Sequence, residues 1–414
     1  MDRKIKICFV GCGSFCRNFV PLFQAHPAVE FVAVCDIIPE RAKEYDDLFH
    51  VDKIFDTYED ALDSSEINTV AIFTQRYLHG PMVIQALRAG KNVYSAVPMA
   101  IKVEEIEEIV NLVKQTRLVY SMGETGHYRP CSIFCRQKLA SGEMGDMIYA
   151  EAQYNHDITE FKDYRAYKST LDHRYRLVAG IPPMLYPTHS TGMVLSAANT
   201  YVKRVAAFGF EDRKDLDIYG RNGENQWNNP FSNTSALLYL ANGAVARISE
   251  NRRIGWLNPM SYITCFHGTE GSYECSMAQH SYVRCIDGEG WFEDVSALLN
   301  PIQLTEHKND PEFGQKFIKG AWANDNAPIQ SQKRFPKEWD PLPTGHGGTH
   351  KYMVADFCQA FTTGKLSPTN AWRAAQYNLP GLIAHQSALE NGRALDVPYL
   401  GEPPEDWEVL HCDE

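Results

Sequence analysis

The sequence predicts an α/β chain in two parts. A doubly wound parallel sheet comes first, and an α+β part with an open-faced antiparallel sheet follows. Three observations predict this. Apolar strand-like runs alternate with helix-like runs as far as residue 124. From residue 146 the pattern changes to strand after strand joined by glycine-bearing turns. The 414 residues, 44% of them hydrophobic, are enough to build two cores. The expected domains are 1–125 and 126–414, with the C-terminal helices free to pack back on the first.

The first element is "KIKICFV" (4–10), a short apolar run rich in β-formers. "GCGSFC" follows, then "RNFVPLFQAH", in which Phe19, Leu22 and Phe23 have helical spacing. The next strand, "VEFVAVCD", ends at Asp36. Strand, glycine turn, helix, strand and terminal acid make a dinucleotide-binding (Rossmann) unit. Gly11 permits the tight turn, and Gly13 lets a pyrophosphate approach the backbone. The helix N-terminus offers N–H groups and a positive dipole end to that phosphate. Asp36 can accept hydrogen bonds from both ribose hydroxyls, and its charge repels a 2′-phosphate, so NAD is expected over NADP. Cys16 takes the third glycine position of the pattern.

The alternation continues. "NTVAIFTQ" (68–75) is a strand and "PMVIQALRAG" a helix closed by Gly90. "KNVYSAVP" is a strand with its exit loop, "VEEIEEIVNLVKQT" an amphipathic helix, and "LVYSMGE" a further strand. Ligands of such sheets sit at the carboxyl ends of the strands. The candidate cofactor contacts are therefore Gly11, Gly13, Ser14, Phe15, Asp36, Thr74, Gln75, Ala96, Pro98 and Glu124. His79, just past a strand end, either lines that site or bonds to backbone at a helix start.

In the second part "MIYAEAQYNHD" alternates, and "TSALLYLANGAVARISENRR" is a hairpin turning at Asn242-Gly243. "MSYITCFHGTEGSYECSM" and "YVRCIDGEGWFEDV" supply further strands. Residues 300–343 lack periodicity and carry several prolines, which predicts a long irregular excursion over the active site. From "GTHKYMVADFCQAF" the chain is helical again.

Composition narrows the function. The net charge of -12, from 52 acidic against 40 basic residues, and the lack of a basic stripe argue against nucleic acid. With no run of 18 apolar residues, no membrane span is expected. "MDRKIKICFVGCG" runs straight into a strand and reads as folded structure, not a signal peptide. Eleven scattered cysteines without CxxC pairs suit free thiols in a reducing cytoplasm. Cys131 and Cys135, one helical turn apart, read as core residues. Glu151, His156, Asp157, His173 and His189 show no diagnostic ligand spacing, so no metal is expected.

"PPMLYPTHSTG" (182–192) sets Tyr186 three residues before His189 in a mostly apolar run. The pair can be hydrogen-bonded core or the acid and base of an active site. His127 and Tyr128 follow Glu124 at a strand end, and His156 ends a strand beside Asp157. These, with Arg174 and Arg176 ahead of the Tyr-His stretch, are candidate substrate contacts or ordinary turn and salt-bridge residues.

The chain resembles the glucose–fructose oxidoreductase / inositol dehydrogenase (Gfo/Idh/MocA) family over nearly its full length. The matching text is "FVGCGSFCRNF", "VCDIIPERA", "FTQRYLHGPMVIQALRAGKNVYSAVPMA", "GHYRP" and "DFCQAFTTGKLSPTNAWRAAQYNLPGLIAHQSALENGRALDVP". The resemblance implies NAD(P) binding and hydride transfer at a carbon of a sugar or polyol. The family's Glu-Lys-Pro is here Ala96-Val97-Pro98, so its proton-handling lysine is missing. Its Asp-x-x-x-His has Leu185 in place of the aspartate, with the histidine at His189. "LYPTH" and "GHGGTH" (345–350) resemble the superfamily's NAD-dependent glycosidases. By that resemblance Tyr186 and His189 are catalytic, and His346 or His350 lines the same substrate pocket.

Three functions follow as expectations. The first is an NAD-dependent oxidoreductase acting on a ring hydroxyl of a sugar or glycoside. The second is a redox-neutral glycosidase working by oxidation, elimination, hydration and reduction. The third is a non-catalytic NAD-binding regulator, since loss of the lysine is what decay of catalysis would look like. The free face of the second sheet predicts a homo-oligomer, a dimer or tetramer.

Overall fold

The computed structural model describes residues 3–157, 176–214, 216, 218–222, 225–255, 262–276, 278–322 and 324–411. The chain forms two compact units. One comprises Met1–Thr125, Ser331–Ala375 and Leu400–Glu414, and the other Gly126–Gln330 and Gln376–Tyr399.

The first unit is built on six strands: β1 (Ile5–Val10), β2 (Val29–Cys35), β3 (Lys53–Phe55), β4 (Thr69–Ile72), β5 (Asn92–Ser95) and β6 (Tyr120–Met122). They lie in the order β3-β2-β1-β4-β5-β6, every pairing parallel. This is the doubly wound arrangement, with the order reversing at β1. β1 and β4 are almost wholly buried, as strands covered on both faces must be. Helix Val103–Thr116 turns Ile106, Ile109, Val110 and Val113 inward, the 3–4 spacing of an amphipathic helix. β3, three residues long, is too short for its alternation to be read from sequence.

One expected element differs. The helix after the glycine turn is split into a 3-10 turn, Cys16–Asn18, and a five-residue helix, Val20–Gln24. Pro21 lies in the first turn of that helix, where its fixed φ and missing N–H favour a fresh start over continuation.

The second unit carries a nine-stranded sheet. Its strands are β7 (Met147–Asn155), β8 (Val202–Glu211), β9 (Phe231–Leu240), β10 (Val245–Asn251), β11 (Tyr262–Gly268), β12 (Gly271–Ser276), β13 (Gln279–Ile286), β14 (Glu289–Asp294) and β15 (Leu395–Asp396). The order is β14-β13-β12-β11-β7-β10-β9-β8-β15. The expected antiparallel sheet is in fact mixed. β10 pairs parallel with β7, while the other pairings among the described residues are antiparallel. The β9–β10 hairpin, which turns through Gly243 at φ +89°, brings β10 back beside β7 in the same direction.

One face of this sheet is covered by helix Thr188–Ala198, itself packed on helix Pro130–Ala140. Cys131 and Cys135 of the latter are buried, and burial pushes both thiols up. The other face is open: Phe208 is 67% exposed and Phe210 60%, with Leu237 and Tyr239 about half exposed beside them.

The stretch expected as irregular holds short helices, Ile302–Glu306 and Phe313–Ile318, and a 3-10 turn, Lys337–Trp339. Each is under two turns, too short to leave a periodic signature. Leu304, Phe317 and Trp322 form a small core of their own in the second unit. Further on, Trp339 belongs to the first unit and donates its indole N–H to the Leu22 carbonyl at 2.8 Å.

Candidate functional site

The glycine turn of the first unit is fixed from several sides. Gly11 sits at φ +95°, and a Cβ there would lie 2.8 Å from the Phe73 carbonyl oxygen, so only glycine fits. A Cβ on Gly13 would meet nothing within 4 Å, so the backbone there can be approached closely. Tyr45, from helix Pro39–Phe49, donates its hydroxyl to the Gly13 carbonyl and holds the turn from beneath. Cys16, at the third position, is fully buried, and burial pushes its thiol well up, so it packs as a small neutral side chain.

Asp36 ends β2. Its Oδ2 accepts the Cys12 N–H at 2.7 Å and its Oδ1 accepts the Ile38 N–H at 2.8 Å. Both bonds orient the carboxylate and leave each oxygen a further acceptor site. A permissive glycine turn with an oriented acid at the next strand end fits a dinucleotide. Gly11, Gly13, Ser14 and Asp36 would hold NAD. Ser14 is exposed, and Phe15, half-buried, stacks edge-on to Phe19 at 5.1 Å.

The remaining cofactor candidates sit at the neighbouring strand ends. Thr74 and Gln75 follow β4, Ala96 and Pro98 follow β5, and Glu124, fully buried, follows β6. His79 bridges two of these loops. Its Nδ1 lies 2.8 Å from the Pro98 carbonyl and its Nε2 3.1 Å from the Thr74 carbonyl. Only 1% of it is exposed, and burial lowers its pKa. Its described contacts make it a clip between loops, the backbone-bonding alternative.

His346 and His350 belong to the first unit. Their rings hydrogen-bond through Nδ1 and Nε2 at 2.9 Å and stand 5.3 and 5.6 Å from the Phe15 ring. The glycines of "GHGGTH" have a clear cause. His346, Gly347 and Gly348 all have positive φ, and a Cβ on Gly345 would strike the His350 ring at 2.2 Å. The structure thus groups these histidines with the glycine turn.

In the second unit the paired prolines Pro182 and Pro183 lead into a 3-10 turn, Pro183–Leu185, and Pro187 precedes helix Thr188–Ala198. Tyr186 and His189 therefore flank a helix start. A Cβ on Gly381 would fall 2.3 Å from the Met184 carbonyl, so glycine there permits the helix Ala371–Leu389 to press on this turn. Thr191 adds a bond to the Tyr377 carbonyl at 2.6 Å.

The Tyr186 hydroxyl and His189 Nε2 are 3.1 Å apart. The Tyr154 ring packs edge-on to His189 at 4.7 Å, and its hydroxyl meets His156 Nδ1 at 2.6 Å. Tyr154, Tyr186, His156 and His189 thus form one cluster. Beneath it is a buried ion pair. Arg252 and Glu250 meet at 2.8 Å with side chains 3% and 0% exposed. The guanidinium carbon lies 4.8 Å from the Tyr154 ring centre and 5.6 Å from that of Tyr186. Glu250 Oε1 accepts the Ser190 hydroxyl at 2.5 Å. Burial pushes Glu250 up, opposed by Arg252, Ser190 and His189. Burial would also discharge Arg252, but Glu250 and the two tyrosines outweigh it, so the guanidinium stays charged.

Other candidates have different described partners. His127 is buried, with Nδ1 2.8 Å from the Tyr377 hydroxyl, and the Tyr128 carbonyl accepts from Gln330. Asp157 accepts the backbone N–H groups of Ile254 and Gly255. Glu151 pairs with Arg247 on the opposite face of the sheet from Tyr154. Arg176 opens the short helix Arg176–Ala179, but its side chain, like Arg174 and His173, lies outside the described residues.

Sequence reasoning passed over Tyr45, Tyr154, Ser190, Glu250 and Arg252. A signal existed for the last two. An acid and a base two apart at the end of an apolar strand share one face, and the covered face is where charge needs an explanation.

Comparison with known proteins agrees with this architecture. Residues 5–124 match the family described as "Oxidoreductase family, NAD-binding Rossmann fold", Gfo/Idh/MocA. A "Glycosyl hydrolase family 109 protein" of Saccharopolyspora erythraea is 22% identical over 417 residues, covering 96% of this chain and 83% of its own. One from Shewanella sp. (strain W3-18-1) is 26% identical, covering 95% and 84%. Among solved structures, a levoglucosan dehydrogenase in complex with NADH and levoglucosan aligns at a TM-score of 0.71 and 20% identity, over 95% of this chain and 99% of that one. Residues 5–124 thus carry the NAD-binding Rossmann domain described for the Gfo/Idh/MocA oxidoreductase family.

Proposed function

We propose that the protein is an NAD-dependent oxidoreductase acting on a ring hydroxyl of a sugar or glycoside, with Tyr186 and His189 carrying the proton. The observation that carries this reading is the 3.1 Å approach of the Tyr186 hydroxyl to His189 Nε2. Bound NAD supplies a hydride acceptor. When the carbinol carbon loses hydride, its hydroxyl must also lose a proton. The Tyr186 phenol passes its own proton to His189 Nε2, and the resulting phenolate oxygen takes the proton of the substrate hydroxyl. The lysine that would otherwise serve is absent, because Val97 can neither donate nor accept. Asp36 would receive the ribose hydroxyls and disfavour a 2′-phosphate. The NADH-binding sugar dehydrogenase among the structural neighbours supports the substrate class.

The test is absorbance of reduced nicotinamide with NAD and a panel of sugars, polyols and glycosides. Turnover that disappears in Tyr186→Phe supports the reading. NAD binding without turnover on any member favours a binding protein instead.

A second reading has its own observation: the glycosyl hydrolase family 109 relatives span 95–96% of the chain. Here the same Tyr–His pair serves a redox-neutral cleavage. Sugar release with catalytic NAD and no net NADH would select it, and steady NADH formation without release would exclude it.

A further inference from the structure

We propose that the buried Glu250–Arg252 pair is the electrostatic template for the proton transfer between Tyr186 and His189, with Arg252 as the positioning residue that replaces the absent lysine. The inference rests on the Tyr–His reading above and deepens it. Moving a proton from a phenol to an imidazole creates an anion and a cation side by side. A tyrosine ordinarily titrates near pH 10, so this separation is uphill at neutral pH unless fixed charges favour it.

The pair is oriented to favour it. Arg252 faces the tyrosines, at 4.8 Å from the Tyr154 ring and 5.6 Å from the Tyr186 ring. Glu250 faces the helix that carries the histidine. It holds the Ser190 hydroxyl at 2.5 Å, and the His189 charge acts on its carboxyl. The developing tyrosinate therefore meets the cation and the developing imidazolium meets the anion. Neither charge is solvated, so neither is screened as a surface pair would be. Arg252 is also locked in place. Its Nη2 bonds Glu250, Nη1 reaches the Asn251 carbonyl at 3.4 Å, and its backbone N–H bonds Asn233 Oδ1 at 3.1 Å. Fixed dipoles and charges that need no reorganisation stabilise developing charge most effectively.

The other titratable groups around the cluster, among the described residues, are Tyr154 and His156 at the end of β7, with Asp157 just beyond. Tyr219 stands near Arg252; burial pushes its phenol up, Arg252 and Arg253 oppose this, and Asp212, paired with Arg253, and Asp157 add to it. Asp157 is turned to the backbone of Ile254 and Gly255. Arg252 is the cation described against the Tyr186 ring.

The experiment measures kcat and KM against pH for the full chain with NAD and whichever substrate turns over. The variants are Arg252→Met, Arg252→Lys, Glu250→Gln, Tyr186→Phe and the double variant E250Q/R252M. The double variant removes both charges, so folding does not require an unpaired buried carboxylate. R252M, or the double variant where R252M does not fold, should lose on the order of tenfold or more in kcat at neutral pH. The loss should recover toward alkaline pH, with the ascending limb displaced upward by about one unit, KM little changed, and partial rescue by R252K. A merely structural role would lower activity equally at every pH, or leave the limb in place, and either result overturns the proposal. An ultraviolet titration of phenolate absorbance, which needs no turnover, reads the same effect. The lowest-titrating tyrosine should vanish in Y186F and move up in the Arg252 variant. An unmoved titration counts against the template whatever the activity. If Y186F keeps full turnover, the Tyr–His reading itself falls. If Y186F is inactive while the Arg252 variants keep the wild-type profile, only the template falls.

Discussion

The backbone N–H of Cys12 donates to Asp36 Oδ2 at 2.7 Å, tying the glycine turn to the end of the neighbouring strand. The acid that would face the ribose is thus also a fastener of the loop that would face the phosphates. Replacing it does two things at once. Asp36→Ser removes a charge-assisted acceptor worth about 1.5–3 kcal/mol. NAD affinity should fall by roughly 10- to 100-fold, measured by titration calorimetry. Discrimination against NADP should shrink, because the repelling charge is gone. Equal loss for both cofactors would mean that the fastening role dominates.

Tyr186→Phe removes one oxygen from the cluster and keeps the ring. His189→Gln keeps a polar side chain but not the titrating imidazole. Each should lower kcat by about 10²- to 10⁴-fold, the span of general acid–base catalysis. NAD binding, carried by the first unit, should stay within about twofold of the starting affinity. Steady-state kinetics alongside cofactor titration separates the two. A variant that loses NAD binding in step with turnover would have been damaged in its fold.

The first unit was legible because its signals are local. A six-residue strand that is apolar apart from Lys6, a glycine that must hold φ +95° and an acid one unit later follow one another in the chain. Most strands of the second unit's sheet were legible through alternation and the Asn242-Gly243 turn. Its parallel β7–β10 pairing was not, since pairing between distant strands leaves no trace in either strand's own pattern. β8 escaped because its inward and outward positions do not alternate strictly, and its pairing slips register near Val202–Arg204. At the site, Tyr186 and His189 are three residues apart and could be read together. Arg252 and Tyr154, nearly a hundred positions apart, meet only after the sheet forms. The histidines of "GHGGTH" show the converse. Their motif was readable, but the partner that places them, Phe15, is over 300 residues away in sequence.

Phe208, Phe210, Leu237 and Tyr239 project from the open face of the second sheet. Apolar side chains this exposed on one continuous face are expected to be covered by a second copy of the chain. Leu237→Lys with Phe208→Glu should shift the protein to a smaller species in light scattering, with little change in the monomer's own packing. An unchanged mass would place the covering surface elsewhere, and a monomeric parent protein would remove the expectation.

Acid stability should be limited in part by the buried His280. His280, 8% exposed, has Nδ1 2.8 Å from the Tyr273 hydroxyl and Nε2 3.1 Å from Asn300 Oδ1. A neutral ring satisfies both: Tyr273 donates to Nδ1, and Nε2–H donates to Asn300. Protonation would put a second N–H against a hydroxyl in a dry site. Burial accordingly lowers the pKa from 6.5 to about 4, against smaller opposition from Asn300 and Asp294. The unfolded chain binds this proton below about pH 6.5, whereas the folded chain refuses it until near pH 4. The contribution is therefore intact above pH 6.5 and is lost progressively as pH falls toward 4. It amounts to on the order of 3 kcal/mol at most. In urea unfolding followed between neutral pH and pH 4, His280→Phe should be less stable than the parent at neutral pH, having lost two hydrogen bonds. Its stability should also fall less steeply with acid. Parallel curves for the two proteins would show that His280 does not set the slope.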